Sequence, residues 1–228
     1  KKINLIDAMS QSCNVYFYKI GLKLGVRIIE KYAELFYLGQ PTGIDIPSEK
    51  KGFVPSPEWK KSKMKMSWLQ GDTAIFAIGQ GATSVTPVQM AATMAAVANN
   101  GTYYKPYLVE QIVNAHTNKI EYKHIPEIKE KIQLSDNTWK LLHRALTEVV
   151  ETGTARRTKF QNIKVAAKTG TAQNPHGQDH AWVVAYAPAD DPQLAVAVIV
   201  ENGGGGGTFS VPVAREIFKE YFHIQEQE

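Results

Sequence analysis

Residues 165–201 read VAAKTGTAQNPHGQDHAWVVAYAPADDPQLAVAVIVE, and this stretch decides the fold. Ile163 to Gln173, His180 to Ala187 and Leu194 to Glu201 are rich in Val and Ala, and turn-forming residues part them: Asn174-Pro175-His176-Gly177, then Pro188 to Pro192. Segments of this composition predict three strands. Loops this short join antiparallel neighbours, so the strands form a meander. The chain then crosses five glycines, Gly203 to Gly207, read as a flexible loop, and ends in an amphipathic helix from about Val211 to Phe222.

Upstream of the meander the sequence is mostly helical. Asn4 to Leu24 predicts two helical pieces broken around Ser10 to Asn14, the second apolar over so wide an arc that it reads as buried. Another helix runs from Arg27 to Leu38 and stops at Gly39. Pro41, Gly43, Pro47, Gly52, Pro55 and Pro57 then argue against regular structure as far as Trp59, giving a long irregular loop over 40–72. Thr86-Pro87 is an N-cap and first-turn pair for an Ala/Met-rich helix that stops at Asn99-Asn100-Gly101. Tyr103 to Lys123 predicts a strand or hairpin turning near Asn118, and Ser135 caps a helix reaching about Glu151. The fold class is therefore α+β, an antiparallel sheet flanked by helices, in one domain or part of one.

Composition narrows the function classes. The longest apolar run, Leu194 to Val200, is far shorter than the ~20 residues of a membrane helix, so the chain reads as a soluble segment. The formal charge of +4 comes with lysines gathered at Lys50, Lys51, Lys60, Lys61, Lys63 and Lys65. That Pro- and Gly-punctuated stretch reads as a solvated loop, so no nucleic-acid partner is expected. Cys13 is the single cysteine, which excludes an internal disulfide. His116, His124, His143 and His176 have no metal-ligand spacing, so neither metal nor other cofactor is expected.

Two short motifs carry chemistry. Lys168-Thr169-Gly170-Thr171 puts a charge and a glycine inside a predicted strand, which suits a strand whose edge faces a ligand. The glycine lets a substrate backbone approach, while the ammonium and two hydroxyls can bind a carboxylate. The competing reading is a solvated strand end. Ser12-Cys13-Asn14 sits at the break between the first two helical pieces, where a hydroxyl and an amide can point into a cleft. Its competing reading is a cap for the helix starting near Val15.

Lys-Thr-Gly and Ser-x-Asn are two of three signatures of penicillin-binding proteins and class A β-lactamases, the third being Ser-x-x-Lys. Residues 41–47 (PTGIDIP), 68–73 (WLQGDT), 78–81 (IGQG), 86–90 (TPVQM) and 100–102 (NGT) follow in family order. The chain resembles the class B penicillin-binding proteins over nearly its whole length. Residues 166–173, with 179–182 and 185–188, are most similar to the elongation-specific branch rather than the septal one. The resemblance implies the serine β-lactamase/transpeptidase fold, incomplete at the N-terminal side. It implies a peptidoglycan D,D-transpeptidase working through an acyl-serine on stem peptides ending in D-Ala-D-Ala, with β-lactam antibiotics as inhibitors. It further implies anchoring in the bacterial cytoplasmic membrane with the domain on the extracytoplasmic face, and a membrane glycosyltransferase as partner. Residue by residue, Ser12 would help move the nucleophile's proton, Asn14 would bind the donor peptide's amide, and Lys168 would supply positive potential. Thr169 and Thr171, beside Gly170, would hold the terminal carboxylate, and the Thr171 N–H would be one oxyanion donor.

In the family Ser-x-x-Lys precedes Ser-x-Asn by several tens of residues, and only eleven precede Ser12. The nucleophile is therefore expected in a missing N-terminal part of the same protein, leaving residues 1–228 inactive alone. Ser48 to Lys51 and Ser62 to Lys65 spell the motif by coincidence, in the Pro-rich loop. Ser135-Asp136-Asn137 is better read as a helix cap. His180 beside Asp179 is expected to be structural or substrate-facing, because adjacent strand residues point to opposite faces. The alternative function is a non-acylating module that recognises penicillin or peptide ends.

Overall fold

The computed structural model describes residues 2–225. Asn4 accepts the Asp7 N–H at 2.9 Å and starts helix α1 (Leu5–Ser10). Helices α2 (Asn14–Leu24), α3 (Val26–Leu35), α4 (Pro57–Met64), α5 (Gln70–Phe76) and α6 (Pro87–Ala98) follow. Thr86 and Gln89 form a reciprocal capping box at the start of α6, as the Thr-Pro pair predicts. Next come β1 (Thr102–Tyr104), β2 (Gln111–Val113), β3 (Ile120–Lys123), β4 (Ile128–Lys131) and α7 (Asp136–Glu151), which Ser135 caps by accepting the Thr138 N–H. Strands β5 (Ala166–Ala172), β6 (His180–Ala187) and β7 (Leu194–Val200) and helix α8 (Gly206–Tyr221) complete the order.

β5, β6 and β7 form the predicted antiparallel meander, with Thr171 opposite Ala181 and Ala187 opposite Leu194. Small side chains on β5 and β6 let helices sit close on both faces. On one face Ala167, Val183, Ala185 and Val198 pack with Val149 and Val150 of α7 and with Val211, Ala214 and Phe218 of α8. On the other, Ala166 and Tyr186 meet Met94, Val97 and Ala98 of α6 and Leu146 of α7. Each buried Val or Phe of this kind contributes about 1.5–3 kcal/mol, so the two layers fix the sheet and hence β5. The chain is thus an α+β fold of antiparallel sheet and flanking helices.

Four expectations are corrected. The stretch 40–72 is not one irregular loop, because α4 and the start of α5 lie in it. Ser56-Pro57 caps α4 through the Trp59 N–H at 3.1 Å, the same signature as Thr86-Pro87. Lys60 is not solvated with its lysine neighbours; it is 7% exposed and its ammonium meets Asp72 Oδ2 at 2.5 Å. Helix α2 is not buried: Val15 is 59% and Leu24 50% exposed, and Gly21 is its one buried residue. Finally, the glycine run is not all loop. Gly206 opens α8 and lies buried on the sheet, where a Cβ would come 2.3 Å from Gly170 O and 2.5 Å from Trp182 O.

The hairpin turning at Asn118 is β2–β3, whereas β1 pairs with β4, a strand that periodicity alone did not reveal. The 41–47 motif is structural. Glu49 accepts the N–H groups of Thr42 at 2.7 Å and Gly43 at 3.0 Å, and Asp45 accepts those of Leu108 and Val109. Fully buried Gln89 donates to the carbonyls of Gln40 and Lys51, binding this loop to α6.

Candidate active site

The break between α1 and α2 is a tight turn. Cys13 N–H returns to Ala8 O at 2.8 Å, and Ser12 takes a left-handed backbone with φ of 51°. That region is costly for a residue with a Cβ and persists where surrounding contacts hold it. The cap position of α2 falls on Cys13, without a side-chain hydrogen bond, so Ser12 does not serve as the helix cap. Its hydroxyl instead accepts from Lys168 Nζ at 2.5 Å. Glycine makes the approach possible on the other side: Thr154 N–H donates to Ser10 O at 3.2 Å, and a Cβ on Gly153 would lie 2.3 Å from that same oxygen.

Strand β5 runs from the core to the surface, its first half buried and Gly170 and Thr171 exposed. It is an edge strand, with β6 on one side. Lys168 Nζ also donates to Thr169 O at 2.7 Å, and burial pulls its pKa down from 10.5 to about 8. Thr169 Oγ1 lies 2.5 Å from Thr154 Oγ1, and Thr171 Oγ1 accepts the Gly206 N–H at 3.4 Å. Gln80 Nε2 donates to Thr171 O at 2.9 Å, which places that carbonyl on the side of β5 away from β6. A strand residue's N–H leaves on the same side as its C=O, so the Thr171 N–H also faces outward.

These groups line one cleft of about 910 Å³ that includes Ser12, Asn14, Lys168, Thr169, Gly170 and Thr171. The two sequence motifs therefore meet in space. Exposed Arg156 and Arg157 line it too, and among the described residues no acidic side chain does. Three cations, five threonines and, among the described residues, no carboxylate make a site for an anionic ligand. His180 lies elsewhere, at the end of the β5–β6 hairpin, where its Nδ1 accepts the Asn202 N–H at 3.0 Å. Ser48 and Ser62 are exposed and outside the cleft. Among the described residues, no group of three His, Cys, Asp or Glu is placed to hold a metal ion, and no helix is long and apolar enough to cross a membrane.

Sequence reasoning missed Thr154, Arg156 and Arg157, which nothing in their local pattern marks, and it quoted Gln80 in the 78–81 motif without placing it in the site; the fold brings all four to the cleft.

Residues 1–220 match the model of the penicillin binding protein transpeptidase domain. The chain belongs to that family. Among curated penicillin-binding proteins it is 33% identical to the peptidoglycan D,D-transpeptidase MrdA of Acinetobacter baumannii, over 95% of this chain and 34% of that protein. Among solved structures it resembles Pseudomonas aeruginosa PBP2 in complex with WCK 5153, with TM-score 0.86 and 32% identity over 98% of this chain and 48% of that one. It also resembles Helicobacter pylori PBP2 in complex with MreC, with TM-score 0.81 and 31% identity over 97% and 40%. These relatives lie in the penicillin-binding protein 2 branch of class B, in agreement with the motifs. The chain spans about a third of the length of the curated penicillin-binding protein it matches.

Proposed function

We propose that this chain is the part of a peptidoglycan D,D-transpeptidase that supplies the Ser-x-Asn and Lys-Thr-Gly walls of the active site. The observation that carries this reading is the hydrogen bond between Lys168 and Ser12, which joins the two motifs in a cleft free of acidic side chains. The nucleophile would be a serine of a Ser-x-x-Lys segment earlier in the same protein. Its oxygen attacks the carbonyl carbon of the penultimate D-Ala, its proton passes through the Lys168–Ser12 pair, and the C–N bond breaks to release terminal D-Ala as the amine. An amine of a second stem peptide then attacks the ester, forming the cross-link and freeing the serine. A β-lactam would follow the first step only, its ring amide opening on the same serine.

In this reading Asn14, exposed at the first turn of α2, holds the donor amide, and Thr169 and Thr171 bind the terminal carboxylate. The outward N–H of Thr171 binds the developing oxyanion, a contribution of about 2.7–4 kcal/mol in acyl transfer. Val15 and Leu22, exposed on one side of α2, mark where the preceding segment would pack. Anchoring at the extracytoplasmic face of the membrane and a glycosyltransferase partner belong to the same proposal. So does association with a partner such as MreC, with which the Helicobacter relative was solved.

The test is labelling of the full-length protein by a fluorescent penicillin. Lys168→Ala should nearly abolish it while the thermal transition is retained. Undiminished labelling of a folded Lys168→Ala protein would defeat this reading, and labelling absent even from the wild type would favour a recognition module.

A further inference from the structure

Arg156 and Arg157 take no part in the steps described so far. They lie in a single 3₁₀ turn (Arg156–Thr158) between α7 and β5, which Ala155 and Thr158, both fully buried, tie to the core. The two arginines themselves are exposed and line the cleft. Among the described residues neither forms an ion pair. Thr154, two residues before Arg156, has its Oγ1 2.5 Å from Thr169 Oγ1, so the pair borders the hydroxyl read as binding the ligand's terminal carboxylate. The Lys168 ammonium is already bonded to Ser12 Oγ and Thr169 O, and the threonine hydroxyls carry no charge. Two unpaired guanidinium groups, each a planar fork that matches a carboxylate, are therefore the cations left to hold one.

We propose that Arg156 and Arg157 form a carboxylate-binding group that the reaction uses twice, and that its second use selects the acceptor. The proposal rests on the transpeptidase reading above and deepens it by naming the acceptor class. In the first step the C–N bond to terminal D-Ala breaks, and the departing amine sits on a carbon that also bears a carboxylate. The second step is the same bond change run backwards: the acceptor nitrogen attacks the ester carbon, the C–O bond to the serine breaks, and the proton lost by the amine goes to the serine oxygen. The acceptor nitrogen thus takes the position that the leaving nitrogen held. An acceptor with a carboxylate on its amine-bearing carbon can use the same two arginines, whereas a plain alkylamine, or one with a neutral amide there, cannot.

The experiment uses full-length protein, an acyl-D-alanyl thioester as donor, and two acceptors of nearly equal shape, D-alanine and D-alaninamide. The two compete for one acyl-enzyme, so the ratio of amide products is independent of how fast that acyl-enzyme forms. The D-alanine to D-alaninamide product ratio should fall about three- to thirtyfold in Arg156→Gln/Arg157→Gln relative to wild type. Arg156→Lys/Arg157→Lys, which keeps the charge without the fork, should recover part of the preference, and melting curves establish that each variant is folded. An unchanged ratio in the folded glutamine variant overturns the proposal, because arginines that only brace the turn would affect both acceptors alike. Thioester hydrolysis by the wild type with neither amine incorporated overturns it too, while leaving the acyl-serine step standing. Absence of any thioester turnover or penicillin labelling in the wild type would sink the transpeptidase reading, and the proposal with it.

Discussion

Lys168 Nζ donates to Ser12 Oγ at 2.5 Å, joining an edge strand to a helix break 156 residues earlier in the chain. The hydroxyl and the ammonium are each held by structure with no other evident purpose: a left-handed turn at Ser12, and a strand that leaves the core just as it reaches Lys168.

Burial holds the Lys168 pKa down to about 8, so the cation of the free site is lost as pH rises through that value. In full-length protein the second-order rate constant for acylation by an anionic penicillin should therefore fall on an alkaline limb centred near pH 8, since this quantity reports the free enzyme. Lys168→Arg keeps its charge to far higher pH. The limb should move out of range in that variant, and an unshifted limb would assign it to another group. Stability runs the other way. Below about pH 8 the fold carries the whole cost of a buried ammonium, and relief grows from there to the ordinary 10.5.

Gly206 and Gly205 stand side by side and should respond differently to the same methyl group. A Cβ on Gly206 meets backbone oxygens of Gly170 and Trp182 at 2.3 and 2.5 Å, whereas the nearest atom to one on Gly205 is Thr208 Oγ1 at 4.0 Å. Gly206→Ala must lift α8 from β5 and β6, costing about 1–3 kcal/mol or more. Gly205→Ala should stay within about 0.5 kcal/mol of wild type. Urea unfolding of the two variants checks the contrast.

His143 links three elements. Its Nε2 donates to Asn100 Oδ1 at 2.8 Å, at the end of α6, and its Nδ1 accepts from the Tyr186 hydroxyl of β6 at 2.5 Å. The bond accepted at Nδ1 needs the neutral ring, and burial lowers its pKa below the ordinary 6.5. The stabilisation is complete above that ordinary value and is lost as pH falls beneath it, because the unfolded chain then binds the proton first. Thermal melting of the wild type should therefore drop more steeply between pH 7 and pH 5 than that of His143→Gln, which has no proton to gain.

What was legible in the sequence followed from local chemistry. The meander showed in its Val/Ala segments and turn residues, and α6 and α7 in Thr86-Pro87 and Ser135. The Lys168 and Ser12 motifs carried enough chemistry to be singled out, though only the fold shows that they touch. What stayed hidden depended on tertiary packing. Lys60 looks like its lysine neighbours until Asp72 is brought against it. Gly206 looks like linker until the backbone of β5 is seen to leave no room for a side chain. Apolar α2 reads as buried by composition alone, yet the described residues leave much of it uncovered. Thr154 belongs to no motif, and Gln80 stood in the 78–81 motif with no role in the site; they reach the cleft through Gly153 and the Gly79–Gly81 turn.

The most direct measurement is the position of the covalent bond. Full-length protein incubated with excess penicillin, digested and mapped by mass spectrometry should carry one stoichiometric acyl group on a serine N-terminal to Lys1, within a Ser-x-x-Lys sequence. Ser12, Ser48, Ser62 and the other serines of residues 1–228 should be unmodified. An acyl group mapped to any of them would contradict the assignment of this chain as the wall of the site rather than the source of its nucleophile.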